Sequence, residues 1–151
     1  MQNLSTTHRR EIVERNEIFV PAGNGRTSFI DVRDIAEVAA LALSSDAHRN
    51  QAYELTGSEA LTYYEIADIL TEVLGRRITY KDPSMLRFLW RKRIQEDMPL
   101  GFVTVMIALY TVAKLGKAAG LTDTLPHLLG RPPITFRQFA EDYRAVWKAG
   151  E

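Results

Sequence analysis

The chain has no cysteine among its 151 residues, which excludes disulfides, thiolate metal sites and a cysteine nucleophile. It has no net charge either. Lys and Arg number 19, as do Asp and Glu, so no overall field draws it to nucleic acid or an anionic membrane. An apolar leader is missing from the start, where Met1 runs into a polar stretch through Arg15, and a cytoplasmic protein is the expectation. Long apolar runs are scarce. The uncharged segment from Met98 to Ala113 contains Pro99 and Gly101 and falls short of the ~20 residues that span a bilayer. A helix apolar on nearly every side is expected to be buried. Catalytic signatures are few: neither Gly-x-Ser-x-Gly nor His-Glu-x-x-His occurs, and His8, His48 and His127 lie far apart, so they read as surface histidines. A dinucleotide-binding glycine loop is also absent, because Gly23-x-Gly25 has Ser28 in third place and leads into a strand-like segment instead of a helix.

What is present is ordered punctuation. The length suits one domain that buries roughly two thirds of its unfolded surface. Ile18 to Pro21 reads as a strand, and Pro21 favours an edge. Asn24-Gly25 supplies a tight hairpin turn, and Thr27 to Val32 returns as the second strand. A helix is expected from Ile35 to about Leu43, capped by Asp34 with Glu37 in capping-box position and an apolar stripe of Ile35, Val38, Ala39 and Ala42. Ala52 to Thr56 reads as a short strand closed by Gly57. The next helix starts at cap Thr62 with Glu65, is stapled by Leu61 and Ile66, and stops at Gly75. Ile78 to Tyr80 is a further short strand, ended by Asp82-Pro83.

After Pro83 the pattern turns helical: an amphipathic basic segment from Ser84 to Gln95, the apolar helix, and a short helix opened by Thr122 or Thr124 and ending at Gly130. The last helix is capped by Thr135 with Gln138 and buries Phe136, Phe139, Tyr143, Val146 and Trp147. The fold class is therefore α/β, with residues 1–83 as an α/β region and 84–151 as a helical region of the same domain. In the basic segment, Arg87, Arg91, Lys92 and Arg93 read as a solvated face with Trp90 packed inward. Tyr110 and Lys114 have the spacing of a tyrosine–lysine dyad on one helix face. A packed tyrosine with a solvated lysine beyond it is the preferred reading.

The run Thr27 to Ala39, followed by Tyr53-Glu-Leu-Thr-Gly57 and Leu61 to Leu70, resembles the C-terminal half of NmrA-like proteins. These are atypical short-chain dehydrogenase/reductase relatives, often described as nucleoside-diphosphate-sugar epimerase-like. Leu128 to Phe136 resembles the family's closing segment. The resemblance implies the C-terminal part of a Rossmann-like, NmrA-type fold in a family that uses NAD(P). That family includes quinone or azo reductases and non-catalytic redox sensors. Met1-Gln2-Asn3 resembles a family segment bordering the nicotinamide, which implies that Gln2 and Asn3 are cofactor-side residues. In the family, the Tyr-x-x-x-Lys dyad precedes the segment that Thr27 to Ala39 resembles, whereas Tyr110 and Lys114 follow it. Phe29, on the second strand of the expected hairpin, is a candidate wall of the substrate cleft, with a core position as the alternative. The expected function is a substrate-side portion of an NAD(P)-binding protein, inactive alone without a glycine-rich loop. The alternative is a self-associating or partner-binding module. Its expected partners are another copy of the chain or a separate Rossmann half, with no nucleic acid and no membrane.

Overall fold

The structure, a computed structural model, describes residues 1–148. A 3-10 turn (Gln2–Leu4) leads into helix α1 (Arg9–Arg15) and strand β1 (Glu17–Phe19). Strand β2 (Thr27–Ser28) precedes helix α2 (Val32–Ser44), and strand β3 (Ala60–Leu61) precedes helix α3 (Tyr63–Leu74). Strand β4 (Thr79–Lys81) is followed by α4 (Met85–Trp90), which continues as a π turn (Arg91–Gln95), and by α5 (Leu100–Lys114), α6 (Thr124–Leu129) and α7 (Phe136–Asp142). A last 3-10 turn (Arg144–Trp147) closes the described chain.

The strands form two small sheets. β1 pairs with β4 in parallel, with Ile18 opposite Tyr80, and β2 pairs with β3 antiparallel, with Thr27 opposite Leu61. The expected hairpin between residues 18 and 32 does not form. Its turn is instead tied to the end of β4: the Tyr80 hydroxyl donates to Val20 O and accepts from Ala22 N, and Gly23 N donates to Asp82 Oδ1 at 3.0 Å. The left-handed residue in that turn is Gly23, at φ 56°, not Asn24 or Gly25. Gly25 is required for a different reason. A Cβ there would lie 2.1 Å from Ala113 O, so only glycine lets α5 pack this closely.

The expected strand at 52–56 is also absent. The segment is tied instead to Thr122, whose hydroxyl donates to Glu54 O and whose N–H donates to Thr56 Oγ1. α2 begins earlier than expected. Its cap is Asp31, which accepts from Arg33 N at 2.8 Å, whereas Asp34 is fully buried, accepts from Ile134 N and pairs with Arg131. Glu37 also pairs with Arg131 instead of completing a capping box. Ile35 is exposed, and the buried face of α2 runs through Asp34 and Val38.

α3 follows the sequence reading closely. Thr62 and Glu65 form a reciprocal capping box, and Gly75 ends the helix at φ 68°. It packs against β1, β4 and α7, and Ile66, Leu70, Phe136 and Phe139 join one apolar core. The described chain closes on itself where fully buried Trp147 donates its indole N–H to Leu4 O at 3.0 Å. α5 departs from expectation in being only half-buried. Val103, Met106, Tyr110 and Ala113 face inward, while Phe102, Val105, Leu109 and Val112 form an exposed stripe. Among the described residues no helix is long and apolar enough to cross a membrane.

Candidate functional site

The N-terminal segment is bound to the start of α2. Met1 N donates to Ile30 O at 2.7 Å. The Gln2 side chain donates through Nε2 to Asp31 Oδ1 and accepts through Oε1 from Val32 N, both at 3.0 Å. This amide is therefore occupied in holding the helix start. Its neighbour Asn3 is exposed and stands at the rim of a cavity of about 210 Å³. Phe29 and Tyr63, edge to face with ring centroids 5.6 Å apart, line it together with His8 and Tyr110. The structure thus brings Asn3 and Phe29 to one cavity and turns Gln2 away to α2. Phe29 is buried and also packs on core Phe136.

Larger hollows of about 390 Å³ lie beside Arg76 and beside Glu72. What distinguishes the smaller cavity is the buried polar chain behind it. The Tyr110 hydroxyl lies 2.6 Å from His8 Nε2, and His8 Nδ1 lies 2.9 Å from Glu11 Oε2. The other Glu11 oxygen accepts from Lys92 Nζ, which also donates to Glu96 Oε2 at 2.8 Å. Arg91 extends the series, joining Glu96 to Glu17. Lys92 has no exposed surface, and His8 and Glu11 have only 1% and 2%. The π turn places Lys92 and Arg91 inward at successive positions, where a solvated face was expected. Trp90, expected inside, is 55% exposed.

Burial alone would raise the Glu11 carboxyl. The hydrogen bond with His8 and the Lys92 ammonium outweigh it and hold Glu11 below the usual carboxylate range. Tyr110 is pushed well above the ordinary phenol value, first by burial and then by Tyr63 and Glu11, and burial likewise raises Tyr63. The cavity therefore presents two neutral phenols, able to donate or accept hydrogen bonds but not to act as standing phenolates. Thr27 Oγ1, also beside the cavity, is buried without a partner.

His8 is buried, contrary to the surface position expected for it, and the Tyr110 hydroxyl is hydrogen-bonded to it as well as packed. The only local signal is His8-x-x-Glu11, one helical turn apart. Tyr110 and Lys114 lie in different surroundings, with Tyr110 buried against His8. Lys114 is exposed, and its side chain lies beside Gly23. No group of three or more His, Asp or Glu suited to a metal occurs among the described residues.

No family model matches the sequence. Over 149 residues the chain is 38% identical to an NAD(P)H azoreductase of Xenophilus azovorans, an alignment covering 99% of this chain and 51% of that protein. In three dimensions it is similar to an NADPH-dependent quinone oxidoreductase of Escherichia coli, with a TM-score of 0.84 and 24% identity over 94% of this chain and 51% of the other. A nucleoside-diphosphate-sugar epimerase of Staphylococcus aureus superposes with a TM-score of 0.78 at 24% identity, covering 89% of this chain and 47% of the other. The chain spans about half the length of the curated relatives it matches.

Proposed function

The chain corresponds to the C-terminal half of an NmrA-like, atypical short-chain dehydrogenase/reductase protein, and on that footing we propose that it forms the substrate side of a nicotinamide-dependent oxidoreductase. The observation that carries this reading is the aromatic cavity with Asn3 at its rim and the Tyr110–His8 pair at its wall. A planar acceptor of the quinone or azo type fits a space walled by Phe29 and Tyr63, because ring faces and edges offer flat apolar contact. Asn3 supplies both an amide donor and an acceptor at the rim, the place where the family resemblance puts the nicotinamide end.

The described residues do not fit the diphosphate of a dinucleotide. Such a group needs free backbone N–H groups at a helix start after a glycine turn. Here the starts of α2 and α3 are filled by the carboxylates of Asp31 and Glu65, and α5 opens after Pro99 with no glycine turn before it. Gly25 and Gly57 serve internal packing: a Cβ would meet Ala113 O in one case and Phe29 O, at 1.8 Å, in the other. The proposed role is thus to bind and orient the acceptor, while a glycine-rich half that is not among these residues holds the coenzyme.

Titration of the chain with 2-methyl-1,4-naphthoquinone, followed by backbone amide chemical shifts, tests this role. The expected shifts cluster at Asn3, Ser28 and Phe29. Shifts elsewhere, or none at saturating quinone, would refute it. A second reading, self-association, is favoured by the exposed stripe of Phe102, Val105, Leu109 and Val112 on α5.

A further inference from the structure

The hollow beside Arg76 shares no residue with the aromatic cavity, and its chemistry is different. Val13 near the end of α1, Leu74 at the end of α3 and Trp147 form its apolar lining. Its charged lining is Arg76, Arg144 and Lys148, with no Asp or Glu. At about 390 Å³ it has room for a small molecule that carries a ring.

The chain as a whole balances its charges, but this place does not, because the nearby acids are bonded elsewhere. Glu14 of α1 pairs with Arg10, Glu17 of β1 with Arg91, and Glu72 of α3 with Arg137. Glu141 lines the adjacent hollow together with Glu72. Arg76 and Arg144 form no ion pair among the described residues. The Arg76 guanidinium donates only to main-chain carbonyls, Ile12 O and Trp147 O, each at 3.0 Å. Those two bonds hold the group in place and leave three of its five N–H donors unused. Acidic neighbours raise Arg33, Arg131 and Arg137, whereas burial lowers Arg76 with no carboxylate to offset it.

We propose that this hollow binds a small phosphate monoester. Arg76 and Arg144 hold its oxygens, and Val13, Leu74 and Trp147 meet its organic part. A phosphate dianion matches more than one cation in charge, and its three terminal oxygens match the unused N–H groups of a fixed guanidinium. A carboxylate supplies one charge and two oxygens. The site is independent of the acceptor reading given above.

Titration of the full chain with phenyl phosphate, above the second phosphate pKa of about 6 and at fixed ionic strength, tests the proposal through backbone amide chemical shifts. Saturable shifts are expected at Val13, Leu74 and Arg144. Benzoate, which keeps the ring but has one charge, and inorganic phosphate, which lacks the ring, should each bind about tenfold more weakly. Arg144→Gln removes an exposed cation with no structural bond and should weaken phenyl phosphate about tenfold. Arg76→Gln should abolish binding, with a thermal melt to check its fold. Arg26→Gln, a change to a cation already paired with Glu65 at the opposite end of α3, should bind as the wild type does. Shifts that fail to saturate, or that sodium chloride reproduces at equal ionic strength, overturn the proposal. So does an Arg144→Gln variant that binds phenyl phosphate as tightly as the wild type. Benzoate binding as tight as that of phenyl phosphate overturns the phosphate assignment.

Discussion

Lys92 is the residue on which the interior depends most. Its ammonium is wholly buried between the carboxylates of Glu11 and Glu96. Replacing it with methionine keeps most of the volume but leaves an unpaired buried carboxylate, which costs about 3–5 kcal/mol; urea denaturation at neutral pH measures this loss. Acid acts on the same place. Glu11 and Asp31 are both held below their ordinary values, so their contribution is fully present above the unfolded carboxylate range. It is lost as pH falls through their folded values. Stability should therefore decline below about pH 4, and Glu11→Gln should flatten the decline while lowering stability at neutral pH. A steeper acid slope in that variant would contradict the assignment. Little of this was legible in the sequence. The His8–Glu11 turn is local, but 102 residues separate His8 from Tyr110 and 81 separate Glu11 from Lys92. No spacing rule connects residues that distant.

Among the elements, legibility followed how local each cause is. α3 was readable from end to end because its cap, capping-box partner and terminating glycine all lie within its own sequence. The 18–32 hairpin was misread because the partner of β1 comes from residues 79–81 and the turn is bound by Tyr80 and Asp82. Asn24-Gly25 looks like a hairpin turn, but the backbone contact with α5 explains its glycine. Glycine substitutions separate these roles. Gly25→Ala and Gly57→Ala force a Cβ to within about 2 Å of a carbonyl oxygen and should each cost well over 1 kcal/mol. Gly101→Ala, inside α5 with nothing within 4 Å, should instead stabilise by about 0.5 kcal/mol. Thermal melts of the three variants should fall on opposite sides of the wild type. A neutral Gly25→Ala would show that the approach of α5 to the turn is not as close as described.

At the scale of the molecule, the core and the surface point in different directions. The two sheets, α3 and α7 share one apolar core, whereas α2 exposes Val32, Ile35 and Leu43, and α5 exposes its stripe with Leu109 at 62%. Apolar faces of this kind are covered in working assemblies. The chain at micromolar concentration should therefore sediment as a dimer or larger species, and Leu109→Glu with Val105→Lys should shift it to monomer. A wild-type monomer across that range would remove self-association. The division of labour is tested most directly by titrating NADPH into the chain and following the coenzyme's fluorescence. The helix starts of α2 and α3 are filled by carboxylates and the constrained glycines by packing, so no saturable binding is expected at micromolar concentrations, even with quinone present. Tight, stoichiometric NADPH binding by these residues alone would contradict the account.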